Sequence, residues 1–202
     1  MNKIYDFLAK PARLAFIICA FVFAFWFAVR TALSIDGQFM NVLTNIITLF
    51  IGTGLCCLPP LFLLLKKEEL AKIFFVLLLG YWVLTAPSQY FFLAETFADA
   101  REFYPVFVSI FLLLTGLALV GILVLVILQM ILGLKILRPI VNLVGLIFVG
   151  VSFLTAILFI IEAAIMGAGW TMYVEYGLMD FIVLPVTVGF GCLYFFQPQK
   201  GE

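Results

Sequence analysis

The chain has 202 residues, 66% of them hydrophobic and only 11% charged, with 11 basic and 11 acidic side chains in balance. Soluble domains carry about a quarter charged residues, so this composition excludes an ordinary soluble fold. The zero net charge leaves no electrostatic footprint for nucleic acid. Histidine is absent, which removes the commonest general base and metal ligand. There is also no phosphate-binding loop, metal-ligand spacing or nucleophile–base set in the sequence. Neither catalysis, a cofactor nor a metal is expected.

Breaking the sequence at its charges leaves six uncharged runs: Leu14–Val29, Gly37–Leu65, Ile73–Ala94, Phe103–Leu134, Pro139–Ile161 and Phe181–Gln199. The fourth would reach about 48 Å as a helix, against roughly 30 Å of bilayer hydrocarbon. The expected fold is an all-α, polytopic transmembrane helix bundle forming one domain over 1–202, with spans near 13–32, 41–65, 69–86, 104–134, 139–164 and 178–197. Lys3, Lys10, Arg13, Lys66, Lys67, Lys72, Lys135, Arg138 and Lys200 fall on one side of that threading, and only Arg30 and Arg101 on the other. By the positive-inside rule both termini are expected to be cytoplasmic, in a multi-pass protein of the cell membrane.

Span one follows a basic amino end, as a signal peptide does, but Thr31-Ala32-Leu33-Ser34 is a poor cleavage site, so the span is expected to be retained. It reads Ala20-xxx-Ala24-xxx-Ala28, a spacing that lets helices approach closely. These alanines are a candidate partner-facing surface, whether for another membrane protein or a second copy, with Phe21, Phe23, Phe25 and Phe27 turned to lipid.

Span two carries Asn41, Asn45, Thr48, Gly52 and Cys56 within about 80° of one another. A stripe this narrow faces either a neighbouring helix or a solute path. Pro59-Pro60, and Pro185 in span six, are expected to kink or interrupt their helices. The sequences Gly52-Thr53-Gly54-Leu55-Cys56 and Gly189-Phe190-Gly191-Cys192 in those two spans form a faint repeat of the kind that transporters use. The four cysteines, Cys19, Cys56, Cys57 and Cys192, all lie in apolar runs, so no disulfide framework is expected.

Lys66-Lys67-Glu68-Glu69 reads as a tight charged turn. Pro87 is expected to break span three, and the stretch from there to Tyr104 to form a short helix in the outer interface. Trp26, Trp82 and Trp170 then form half of an aromatic belt. Gln129 and Asn142, in spans four and five, lie at similar depth and are expected to hydrogen-bond to each other.

Span five opens on Pro139 and carries a second stripe, Gly145, Ser152, Thr155 and Glu162. Glu162 lies about 35 Å above Pro139, where Arg30 is its expected ion-pair partner; a cation- or proton-binding role is the alternative. Asp36, Glu95, Asp99, Glu102, Glu175 and Asp180 line the outer loops, either as solvated charges or as a vestibule. Two roles follow. The first is a small transport-class subunit binding a solute or cation near the outer side between spans two, five and six, through Asn41, Asn45, Thr48, Ser152, Thr155, Glu162 and Asp180. The second is a non-catalytic accessory or assembly subunit docked on another membrane protein.

Overall fold

The computed structural model describes residues 2–33, 39–99, 106–133, 136–166 and 178–196. Within these, side chains are described except at 2–10, 33, 39–41, 85–99, 106–116, 119, 155, 158–159, 161–163, 165–166 and 178–181. The described residues are helical, with no strand, and form six helices: α1 (Asn2–Leu33), α2 (Phe39–Leu64), α3 (Glu68–Asp99), α4 (Val106–Leu132), α5 (Leu137–Met166) and α6 (Leu178–Phe195). Among the described residues, three stretches are long and apolar enough to cross a membrane, Pro11–Ala32, Val42–Leu64 and Leu137–Leu154; Val120–Leu132 and Ile182–Phe195 are shorter apolar stretches. Apolar composition explains the choice of helix: where water is excluded, a helix satisfies its own backbone groups.

Proline does not divide these helices. Pro11 lies inside α1, Pro59 and Pro60 inside α2, and Pro185 inside α6. Nor does Pro87 end α3, which continues to Asp99. The expected break and separate interfacial helix are therefore replaced by one long helix as far as Asp99, while residues 100–105 lie outside the described residues. The physical reason is that a proline removes a single N–H and frees one carbonyl a turn earlier, and neighbouring helices and small local adjustments can absorb that loss.

Neighbours in sequence pack as neighbours in space: α1 with α2, α2 with α3, α3 with α4 and, more loosely, α4 with α5. Helix α6 closes the circuit. It packs extensively on both α5 and α1 and touches α3 and α4. Small residues allow this. A Cβ placed on Gly145 would stand 2.8 Å from Cys192 Cβ and 2.9 Å from the Gly189 carbonyl oxygen. One on Gly189 would stand 2.7 Å from the Gly145 carbonyl oxygen and 2.6 Å from Val149 Cγ2. The two backbones are thus in direct apposition, as small residues permit between helices in lipid.

Aromatic rings join Leu63, Leu78, Leu79, Ile122, Val126 and other aliphatic side chains in the core. Phe16 of α1 meets Phe75 of α3 and Phe195 of α6 edge-on, each with centroids 5.5 Å apart, and Phe75 stacks on Phe195 at 5.2 Å. Further along the bundle Trp82 packs on Phe23 and Phe27 at 4.9 and 5.8 Å. Each such pair is worth about 0.5–1.5 kcal/mol beyond the burial itself. Gly52 lies under the Phe27 ring, and Gly191 under the Phe75 ring beside Phe16.

The turns obey helix-end rules. α2 ends in a left-handed residue, Lys66 at φ 59°, whose N–H donates to the Leu63 carbonyl at 3.1 Å, while the Lys67 N–H donates to Phe62 O at 2.8 Å. This pair of bonds is the Schellman arrangement, made here with lysine in place of glycine. α4 stops at Leu132 before Gly133, also at φ 59°.

Glycine positions give a direct test of the α5–α6 contact. Gly189→Ala should destabilise the protein by about 1–3 kcal/mol, because the new methyl meets backbone that cannot move aside. Gly54→Ala, whose Cβ would meet nothing within 4 Å, should be neutral or stabilising by up to about 1 kcal/mol. Thermal unfolding of the two variants in the same detergent checks the contrast.

Candidate functional site

The polar stripe of α2 turns toward helix neighbours. Gly52 and Cys56 are buried, Gly52 against Phe27 of α1, and Asn45 and Thr48 are half-buried. The stripe of α5 is used in the same way: Gly145 abuts α6, and the buried Ser152 donates its hydroxyl hydrogen to the Phe148 carbonyl of its own helix at 2.7 Å. Such a bond to the preceding turn satisfies the hydroxyl without any ligand.

Among the described residues, α2 packs on α1 and α3 and makes no comparable packing with α5 or α6. Asn45 and Thr48 are therefore not brought together with Ser152. The α5 backbone carries Thr155 and Glu162, α2 carries Asn41, and Asp180 is the third residue of α6. The side chains of these four lie outside the described residues, and so does any Glu162–Arg30 pair. Asp36, Glu102, Glu175 and Trp170 lie outside the described residues, and so do the side chains of Glu95 and Asp99.

Three sequence expectations need correction. Ala20 and Ala24 belong to this chain's own core, with Ala28 half-buried, so the alanine stripe packs internally rather than facing a partner. Phe21 and Phe25 face outward, Phe25 at 73% exposure, but Phe23 and Phe27 are buried. At 100° per residue, every second position cannot keep to one face of a helix. Trp82 is only 1% exposed and sits against Phe23 and Phe27 as a core residue, away from any aromatic belt.

The expected Gln129–Asn142 hydrogen bond is not formed. Asn142, 1% exposed, donates from Nδ2 to the Leu193 carbonyl of α6 at 3.2 Å. The buried side-chain oxygens of Asn142 and Gln129 have no hydrogen-bond partner. Leu193 lies in the last turn of α6, where carbonyls lack partners in their own helix. The amide therefore serves a helix end, a role invisible in sequence because Leu193 lies 51 residues from Asn142 along the chain.

Arg13 does the same for α2. Its Nη2 donates to the Leu63 carbonyl at 2.9 Å. At that end of the bundle Tyr194 of α6 donates its hydroxyl hydrogen to Glu68 Oε1 at 2.9 Å, and Lys72 Nζ stands 4.9 Å over the Phe196 ring. Arg13 of α1, the α2–α3 turn, the start of α5 and the end of α6 are thus gathered at one end.

One concavity lies on the flank of the bundle, between α1, α5 and α6. It has a volume of about 200 Å³ and is lined by Ile18, Cys19, Val22, Ser152, Phe153, Ala156, Ile182, Val183 and Val186. With the Ser152 hydroxyl engaged by its own helix, no polar group points into this groove. The described residues contain no cluster of metal-ligating side chains. Comparison with family models, with curated proteins and with solved structures finds no match to this chain.

The Arg13 contact is testable. Arg13→Met keeps the aliphatic stem but abandons the Leu63 carbonyl, and a charged hydrogen bond of this kind is worth about 1.5–3 kcal/mol. The variant should unfold at a lower temperature than the parent, with Arg13→Lys intermediate.

Proposed function

We propose that this chain is a multi-pass membrane protein without catalytic activity, which acts as an accessory or assembly subunit on another membrane protein through its outer flank. In this reading all six helices span the membrane, and the lysine-rich end faces the cytoplasm with both termini. The observation that carries it is the use made of the two polar stripes. The described part of each packs on a neighbouring helix at its glycine, Gly52 on Phe27 and Gly145 on Gly189, and the described core is made of aromatic rings, aliphatic side chains and small residues. A protein with a packed interior acts through its surface. Here the surface includes an apolar flank groove at α1, α5 and α6.

The solute-binding reading is favoured by a different observation: the outer loops are rich in carboxylates, with Glu162 one helical stretch below them. It needs a polar site built by Glu162, Asp180, Asn41 and Thr155 at the outer end, together with Asn45.

Two measurements separate the readings. Purification in mild detergent followed by mass analysis should recover a stoichiometric partner chain; recovery of a stable monomer alone contradicts the accessory role. Glu162→Gln and Asn45→Ala should leave that recovery unchanged. If instead both variants keep their fold but abolish uptake or binding of a small solute, the protein is a transport subunit.

A further inference from the structure

The groove on the flank of the bundle has a definite shape. Each of its three helices contributes residues four apart: Ile18 and Val22 from α1, Ser152 and Ala156 from α5, Ile182 and Val186 from α6. The hollow is therefore one helical turn tall, about 6 Å at 1.5 Å per residue. Helix α6 packs on both α1 and α5, and Val186 is buried, so α6 makes the floor. Ile18 and Val22 on one rim and Phe153 on the other are exposed, Phe153 at 58%. With the Ser152 hydroxyl turned back on the Phe148 carbonyl, the described lining is apolar.

This shape discriminates between occupants. A polar solute needs partners that such a lining does not offer. An acyl chain running through one leaflet covers roughly 15 Å, half the hydrocarbon thickness, and overruns a hollow one turn tall. A single large side chain fits it. An apolar cavity of about 150 Å³ takes up benzene, and this one has about 200 Å³. A ring seated there supplies dispersion contacts that loosely packed lipid does not.

The chain carries such a ring on the rim itself. Phe153 is exposed at the level of the groove it borders. Copies inserted by the same charge asymmetry share one orientation, so a two-fold axis between them runs along the membrane normal. Such an axis keeps every residue at its own depth and brings the same patch of both copies together. A knob and a hole at one level on one flank then satisfy each other twice.

We propose that the chain forms a two-fold dimer through this flank, with Phe153 of each copy seated in the groove of the other, as a knob enters a hole between packed helices. The dimer goes beyond the accessory role and does not rest on it. Exposed apolar surface on α2 and α4, including Phe50 and Ile131, stays open to a further chain. Two copies recovered without another chain support the dimer and contradict that role; one copy bound to another chain does the reverse.

The test is the dimer fraction of the full chain in phosphatidylcholine bilayers, read by energy transfer between two labelled populations as protein is diluted in lipid. The unsubstituted chain should dimerise. Phe153→Ala should raise the dissociation constant about tenfold or more, as loss of a central interface ring does. Ala156→Phe, which fills the groove from within its own copy, should do the same. Phe50→Ala removes a ring of 74% exposure from α2 and should leave the constant nearly unchanged. A mixture of Phe153→Ala with Ala156→Phe is decisive, because it restores one knob to one open groove. It should associate more tightly than either variant does alone. Monomers throughout, which leave the groove to lipid, overturn the proposal. So do dimers that survive either groove variant, an equal loss in Phe50→Ala, or a mixture no tighter than its components. If Ala156→Phe does not fold, Phe153→Cys decides, by copper–phenanthroline oxidation in membranes. A covalent dimer through the groove residue Cys19 of the second copy, lost in Cys19→Ser, supports the contact. No covalent dimer, or one indifferent to Cys19, overturns it.

Discussion

Helices that already lie in lipid gain little by hiding apolar side chains from a solvent as apolar as themselves. Close contact between backbones has to hold them together instead, and in this chain that contact is made where Gly145 of α5 meets Gly189 of α6. It lets α6 sit within reach of α1, α3, α4 and α5 at once. From that position α6 delivers Phe195 to the rings of Phe16 and Phe75, Leu193 to Asn142 and Tyr194 to Glu68. Remove the close approach, and the inner aromatic cluster and two inter-helix hydrogen bonds lose their geometry together.

A second constraint governs the ends. The last carbonyls of a helix have no partner within it, and in an environment poor in water they must find one elsewhere. The chain solves this with side chains from other helices. Arg13 of α1 serves Leu63 of α2, and Asn142 of α5 serves Leu193 of α6. Lys66, in a left-handed conformation, lets the backbone serve the α2 end as well. Two polar side chains of an apolar sequence, Arg13 and Asn142, thereby find structural employment.

Much of the architecture was legible from charge placement and hydropathy, because both follow directly from what lipid tolerates. Helix starts at Leu137 and Leu178 and the charged turn at Lys66-Lys67 fall within a few residues of expectation. Other features were not legible, for reasons that can be named. Proline's helix-breaking tendency, measured in water, overstated its power to end α3 at Pro87, and α2 and α6 likewise run on through Pro59, Pro60 and Pro185. The positions of Trp82, Phe23 and Phe27 depend on which face of α1 meets α3, a matter of tertiary packing that no window of sequence contains. Asn142 pairs with a carbonyl, and a carbonyl leaves no mark in the sequence. The stripes on α2 and α5 were visible as stripes, yet only the ring order of the helices separates them from each other.

That separation underlies the proposal that this chain acts through the surface of its bundle. Thiol labelling in membranes tests it most directly, with Thr48→Cys and Ser152→Cys compared with Lys67→Cys, the unsubstituted chain as background, and a water-soluble maleimide as reagent. The account predicts rapid labelling in the 66–67 turn and none at 48 or 152. Labelling at 48 and 152 at rates near that of the turn would mean that water runs between these helices, and the closed bundle would have to be abandoned for an open path.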